Sequence, residues 1–156
     1  MPVRILVCSD SHGRADLLGL AYDQQPTAEA LVFLGDGVDD AYLFTRCGKR
    51  AVLVRGNCDG NAKYPLSETF EAGGKTILCT HGHSFHVKYG PEDLRITAQA
   101  LGASLALYGH THQAKLDYED GIYLFNPGCL HDGEYGFVDI TPAGIVCVNA
   151  RVRRYY

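Results

Sequence analysis

The stretch Val3-Arg4-Ile5-Leu6-Val7-Cys8-Ser9-Asp10-Ser11-His12-Gly13 decides how this chain is read. Its first six residues are apolar apart from Arg4, and a nearly continuous run of that length marks a strand buried on both faces. The run stops at a polar, glycine-ended segment carrying Asp10 and His12. The same figure recurs twice. Leu31-Val32-Phe33-Leu34 runs into Gly35-Asp36-Gly37-Val38-Asp39-Asp40, and Ala51-Val52-Leu53-Val54 runs into Arg55-Gly56-Asn57-Cys58-Asp59-Gly60. Between them, residues 15–22, with leucines at 17, 18 and 20, predict a helix that stops before Pro26. A second is predicted over residues 41–44, ending near Gly48. Strand, helix, strand, helix, strand calls for right-handed parallel crossovers, which bring the strand ends to one edge.

After residue 60 the rhythm changes. Residues 68–72 and 75–80 flank Gly73-Gly74, a two-residue hairpin signal, and the second arm ends in Thr80-His81-Gly82-His83. Pro91-Glu92-Asp93-Leu94 opens a helix, with proline in its first turn and acids at the positive end of the dipole; it should reach Leu101 and stop at Gly102. Leu105-Ala106-Leu107-Tyr108 is the next apolar run. Gly109 breaks it, read here as freeing the backbone to turn, and His110-Thr111-His112 follows. Residues 115–118 and 122–125 flank Glu119-Asp120-Gly121, with Asn126-Pro127-Gly128-Cys129 next. Residues 137–140 and 145–149 form a last hairpin. The expected architecture is α/β, in one domain over residues 1–156. Its first half is parallel and its second antiparallel, in two mixed β-sheets packed face to face with helices outside.

With 156 residues, 46% hydrophobic, the chain is long enough to bury roughly two-thirds of its unfolded surface. A net charge of −4 argues against broad electrostatic capture of nucleic acid, and no apolar segment approaches a membrane span. The start runs directly into a strand pattern, so no cleavable signal is visible. Cysteines at 8, 47, 58, 79, 129 and 147 never form Cys-x-x-Cys. Three of them, Cys8, Cys79 and Cys147, sit inside apolar runs as small hydrophobes, which reads as a reducing cytoplasm.

Five strand ends thus carry Asp10 with His12, Asp36, Asn57, His81, and His110 with His112. Two carboxylates, an amide oxygen and four imidazoles form a borderline N/O donor set, without the thiolates of a structural zinc site. It suits Mn, Fe, Zn, Ni or Co. Seven donors exceed the needs of one ion and suit two that share a carboxylate. Two such cations, about 3.5–4 Å apart, clamp a phosphate and acidify a bridging water.

Taken in order, Asp10-Ser11-His12, Gly35-Asp36-Gly37-Val38-Asp39, Gly56-Asn57-Cys58-Asp59, His81-Gly82-His83 and Gly109-His110-Thr111-His112 resemble the motifs of the calcineurin-like metallophosphoesterase superfamily. Asn126-Pro127-Gly128 resembles a further signature. The length and Cys58 make the chain most similar to the small YfcE-type phosphodiesterases. The resemblance implies one metal on Asp10, His12, Asp36 and His112. A second metal would sit on Asp36, Asn57, His81 and His110, with Asp36 bridging. It further implies an enzyme hydrolysing small phosphodiesters by attack of a metal-bridging hydroxide, with two divalent ions, manganese first among them. Asn57, Cys58, His81 and His83 are the candidate catalytic residues.

One departure matters. Better-known members carry histidine where this chain has Cys58, and a thiol is a weaker donor without positive charge. Slow turnover with poor leaving groups is therefore expected. His83 either substitutes in part or braces its loop. His86 and His131 match no motif and are read as surface residues or as satisfied by neighbours. Asp39 matches the motif but reads as a helix cap or as a support behind the ligands rather than as a ligand. Cys129 replaces the serine more often found after Asn-Pro-Gly. Arg151, Arg153 and Arg154, with Tyr155-Tyr156, read as a solvated edge strand or a homo-oligomer contact rather than a nucleic-acid patch. A nuclease ranks below an enzyme for small phosphoesters. The alternative from another class is a scaffold for protein partners, because the family also resembles the retromer subunit of vacuolar sorting.

Overall fold

In a computed structural model, which describes residues 2–60 and 63–154, the apolar runs become strands of two five-stranded mixed sheets. In the first sheet, β1 (Val3–Cys8), β2 (Ala30–Phe33) and β3 (Arg50–Leu53) lie side by side and parallel, as the spacing predicts. Their crossovers are α1 (Ala15–Gln24) and a short α2 (Val38–Ala41) that tightens into a 3-10 turn, Tyr42–Arg46. The second sheet has β4 (Ser67–Ala72), β5 (Lys75–Thr80), β6 (Leu105–Leu107), β7 (Lys115–Glu119) and β8 (Ile122–Asn126), in the order β4-β5-β6-β8-β7. The helix of this half, α3, spans Glu92–Ala100. Pro91 stands at its cap position rather than inside its first turn.

The apolar runs are continuous because both faces of each central strand are covered. Ile5 and Val7 point between the sheets, against Val32, Val52, Ile77, Leu105 and Phe125. Leu6 and Cys8 point outward, against Leu17, Leu18 and Ala21 of α1. On the other side Leu78, Ala106 and Leu124 pack against Leu94 and Ala98, one helical turn apart on α3. The result is four layers, helix–sheet–sheet–helix.

The expected parallel and antiparallel halves need correction in two places. The second sheet is parallel at its centre, with β5, β6 and β8 running together, because α3 returns the chain and the β7–β8 hairpin places β7 on the outer edge. The last hairpin, β9 (Glu134–Thr141) and β10 (Gly144–Arg151), leaves the second sheet altogether. It joins the first, with β9 antiparallel to β1. Arg4 holds that register: its guanidinium donates twice to Asp139 at 2.8 Å and lies over the Phe137 ring. A hairpin signal specifies its own two strands, whereas the edge it docks on is set by long-range packing. Arg151 ends the edge strand β10, and Tyr155 and Tyr156 lie outside the described residues. Among the described residues no helix is long and apolar enough to cross a membrane.

Candidate metal centre

Five loops meet beyond the carboxyl ends of β1, β2, β3, β5 and β6, and each brings one of the motifs. Backbone hydrogen bonds tie them in pairs: Asp10 N–H to the Gly35 carbonyl, His12 N–H to that of Asp36, and Gly109 N–H to that of His81. Asp10 is fully buried. Its Oδ2 accepts from the Ser9 hydroxyl at 2.6 Å and from His110 N–H at 3.2 Å. That leaves Oδ1 to face His112 Nε2 at 3.2 Å and His12 Nε2 at 3.5 Å. Asp36 accepts the Cys58 N–H on Oδ1 at 2.8 Å and faces His81 Nε2 with Oδ2 at 3.2 Å. His81 donates from Nδ1 to the Leu34 carbonyl at 2.7 Å, which fixes the ring and aims Nε2 into the site.

The structure gathers six of the seven expected donors into two groups, Asp10 with His12 and His112, and Asp36 with His81 and His110. In each group the candidate atoms lie within 4.8 Å of one another. His12 and His112 face each other Nε2 to Nε2 at 3.4 Å, and His110 Nδ1 faces His81 Nε2 at 3.2 Å. Two ring lone pairs at that distance repel unless a proton or a cation lies between them. The separations match the edge of a tetrahedron with bonds of about 2.0–2.1 Å, roughly 3.3 Å. The donor set therefore fits divalent metal. Asn57, the seventh, stands at the exposed rim of the same 230 Å³ cleft, its amide nitrogen turned towards Cys58 Sγ at 3.6 Å. Cys58 lines this cleft too. His83 does not: its ring lies 5.5 and 6.1 Å from those of His81 and His110, and its Nδ1 is buried without a hydrogen-bond partner among the described residues.

The electrostatics follow from this crowding. Burial is the largest influence on Asp36 and acts to raise its pKa, but the hydrogen bond and charge of His81 and the Cys58 N–H outweigh it and hold the carboxyl well below its usual range. Burial likewise acts to lower His81, and Asp36 and Asp10 overcome it, so His81 is raised. A proton on His81 Nε2 would stand where a cation would bind, so metal binding there would displace it. Burial, then the charge of His81, lowers both His83 and His110. Burial, followed by the Asp36 carboxylate, pushes the Cys58 thiol up.

Backbone strain concentrates here. Among the described residues the non-glycine positions with φ in the left-handed region are Asp10, His12, Asp36, His86, His110, His112 and Asp120. Five of these belong to the two groups. Such conformations cost of order 1–3 kcal/mol each and persist only where the surroundings over-determine them. One source of that constraint is Asp59, to which motif reading gave no role. Its carboxylate accepts four backbone N–H groups, those of Asp36 and Gly56 on Oδ2 and of Gly37 and Val38 on Oδ1, at 2.8–3.1 Å. Asn126, fully buried, does similar service for the histidine loop, donating to the Gly109 carbonyl and the Thr111 hydroxyl.

Gly109 acts differently from expectation. Its φ is ordinary and the left-handed turn falls on His110, at 70°. Glycine is needed because a Cβ would lie 2.0 Å from Ser9 Oγ and 2.9 Å from Asp10 Oδ2. His86 is exposed and faces Asp93 at 3.3 Å, as read from sequence. His131 is exposed but not remote: its ring lies 6.3 Å from that of His12, in a small hollow beside His112. Asp39 is exposed on α2, whereas Asp40 is the neighbour that works, accepting from the Ser11 hydroxyl and Gly13 N–H. Lys88, which no motif contains, lines the metal cleft and helps lower His110.

Comparison with known proteins agrees with this geometry. The profile of the calcineurin-like phosphoesterase superfamily domain matches residues 3–141. The probable metallophosphoesterase YsnB of Bacillus subtilis is 30% identical over 131 residues, 82% of this chain and 75% of that protein. A conserved uncharacterized protein of Streptococcus pneumoniae, described as a predicted phosphoesterase, superposes with a TM-score of 0.78 at 25% identity, covering 96% of this chain and 99% of the other. Vps29 from Chaetomium thermophilum shares the fold with a TM-score of 0.76 at 18% identity, over 97% and 98% of the two chains.

Proposed function

Since the chain belongs to the calcineurin-like phosphoesterase superfamily, we propose that it is a metal-dependent phosphodiesterase hydrolysing small phosphodiesters. The observation that carries this reading is the pair of donor groups opening on one cleft. Asp10, His12 and His112 would hold one divalent ion, and His81, His110 and Asn57 the other, with Asp36 between them. Manganese is the first candidate, and Zn, Fe, Ni or Co suit the same donors. Bound there, two cations supply charge neutralisation for the phosphate and activate a water nucleophile.

The chain's own residues do the positioning. Ser9 and the His110 N–H orient the Asp10 carboxylate, the Cys58 N–H orients Asp36, and the Leu34 carbonyl sets the tautomer of His81. Cys58 lines the cleft where a leaving oxygen would emerge, and its raised thiol offers only a weak hydrogen bond. Activated aryl diesters, whose leaving oxygen needs no proton, are the favoured class. The unpaired cysteines, two fully buried in the cores, support residence in a reducing cytoplasm. Likeness to Vps29 favours a second reading, a scaffold for protein partners. Elemental analysis of loaded protein, paired with an assay on bis(p-nitrophenyl) phosphate, tests the choice. Two ions per chain and hydrolysis are expected. Intact diester with a full metal complement hands the function to the scaffold reading.

A further inference from the structure

Beside the metal cleft lies a larger one of about 520 Å³, a size that suits a small ligand. The two share Lys88 and Thr111 as lining residues, so they adjoin. Tyr108 lies buried beneath it, and Tyr89, Gln113 and Lys115 line its sides. The turn carrying Lys88 and Tyr89 is fixed from below. Val87 is buried against Gly82, where a Cβ would fall 2.7 Å from Val87 Cγ2, and Tyr89 N–H donates to the His86 carbonyl at 2.9 Å.

This turn presents two side chains that make no hydrogen bond or ion pair among the described residues. Lys88 has no carboxylate partner among the described residues, and Tyr89 is 93% exposed, an aromatic ring left in water. Lys115, which faces Asp117 at 3.6 Å, adds a second cation. In a chain of net charge −4, the charged groups lining this cleft are both lysines. Cations beside an exposed ring match an anion that carries a flat ring.

We propose that this cleft is a second subsite, holding a ring-bearing anionic group of the substrate apart from the phosphate that is cleaved, as a nucleoside 5′-monophosphate moiety joined through a further phosphate would present it. The proposal rests on the phosphodiesterase reading for its place in catalysis, but its binding is separable. On binding, the phosphate would sit between Lys88 and Lys115 and the base on Tyr89.

Titration of metal-free protein with adenosine 5′-monophosphate, followed through backbone amide NMR shifts, reads this without turnover. Shifts at residues 88–90 and 113–115 are expected, with binding stronger than for adenosine or inorganic phosphate. Tyr89→Ala should weaken AMP and adenosine about tenfold and leave phosphate unchanged, since base–aromatic stacking is worth about 1–3 kcal/mol. Lys88→Ala with Lys115→Ala should weaken AMP and phosphate together. Unaltered spectra elsewhere establish that the variants are folded. AMP affinity unchanged in both variants, or shifts confined to the histidine loops, would overturn the subsite. So would an oligonucleotide that outbinds AMP with shifts running beyond the cleft. Hydrolysis of bis(p-nitrophenyl) phosphate by loaded wild-type protein separates the parent reading. Hydrolysis without AMP binding removes the subsite alone, and AMP binding without hydrolysis supports the subsite while removing the phosphodiesterase.

Discussion

Replacing Asp59 by asparagine tests whether the metal loops are held from behind. The two carboxylate oxygens each accept two backbone N–H groups, spanning the loops after β2 and β3. Asparagine keeps one oxygen and turns an NH2 towards two of those donors. Two hydrogen bonds to a charged acceptor are lost, each worth about 1.5–3 kcal/mol, and water recovers a part because Asp59 is only half-buried. A destabilisation of about 2–4 kcal/mol follows, or a fall in Tm of roughly 4–16 °C for a chain of this size. Metal should be held about 10–100-fold more weakly, since the displaced backbone carries Asp36 and Asn57. Urea unfolding in the presence of a chelator measures the first effect apart from the second, and a competitive metal titration measures the second. Asp39→Asn, exposed on α2, serves as control within about 0.5 kcal/mol. If the metal-free Asp59→Asn protein unfolds at the wild-type urea midpoint, the bracing role is wrong.

Cys58→His should accelerate diesters with poor leaving groups by up to ~10²–10⁴-fold and barely alter activated aryl esters, as a leaving-group series would register. Cys58→Ala should cost little on activated esters; complete inactivity in a fully metallated sample would make the thiol catalytic. Gly109→Ala pushes a Cβ to 2.0 Å from Ser9 Oγ, and should cost about 1–3 kcal/mol while weakening metal binding, read by unfolding and elemental analysis. Wild-type occupancy in that variant would show that the loop relaxes freely. In native protein at pH 8, a thiol reagent should reach both exposed cysteines, Cys47 and Cys58, with Cys58 slowed because partial burial and the neighbouring Asp36 push its thiol up. Cys8 and Cys79, buried and with thiols pushed far up, should react only on unfolding; rapid modification of either would contradict the core packing.

What could be read from the residues follows a physical division. Strands such as Val3–Cys8 and Lys75–Thr80 announce themselves because burial on both faces demands continuous apolar side chains, and the glycines and polar runs that end them are equally local. The candidate donors could be picked out for the same reason, each sitting next to such a run. The second sheet's parallel centre and the destination of the β9–β10 hairpin were not, since both depend on which edges remain open after folding. The four N–H bonds to Asp59 escaped as well: a motif prints a carboxylate, not the backbone groups converging on it. Gly109 misled because sequence cannot separate a glycine chosen for φ from one chosen for lack of a Cβ. Lys88 and Tyr89 belong to no periodic pattern, and only folding sets them beside the histidines.

The docking of β9 on β1 also sets an order of assembly. Val3 pairs with Ile140 and Val7 with Gly136, and the carbonyls of Ser9 and Asp10 accept the N–H groups of Leu130 and His131. The first metal-facing loop is thus completed by residues that leave the ribosome some 120 positions later. Until they arrive, β1 has an open edge and Asp10 lacks part of the framework that keeps its backbone left-handed. Contacts so distant along the chain close slowly, because the loop between them must first surrender its freedom. A centre built on these loops would therefore be complete only once residues as late as His131 have joined the fold.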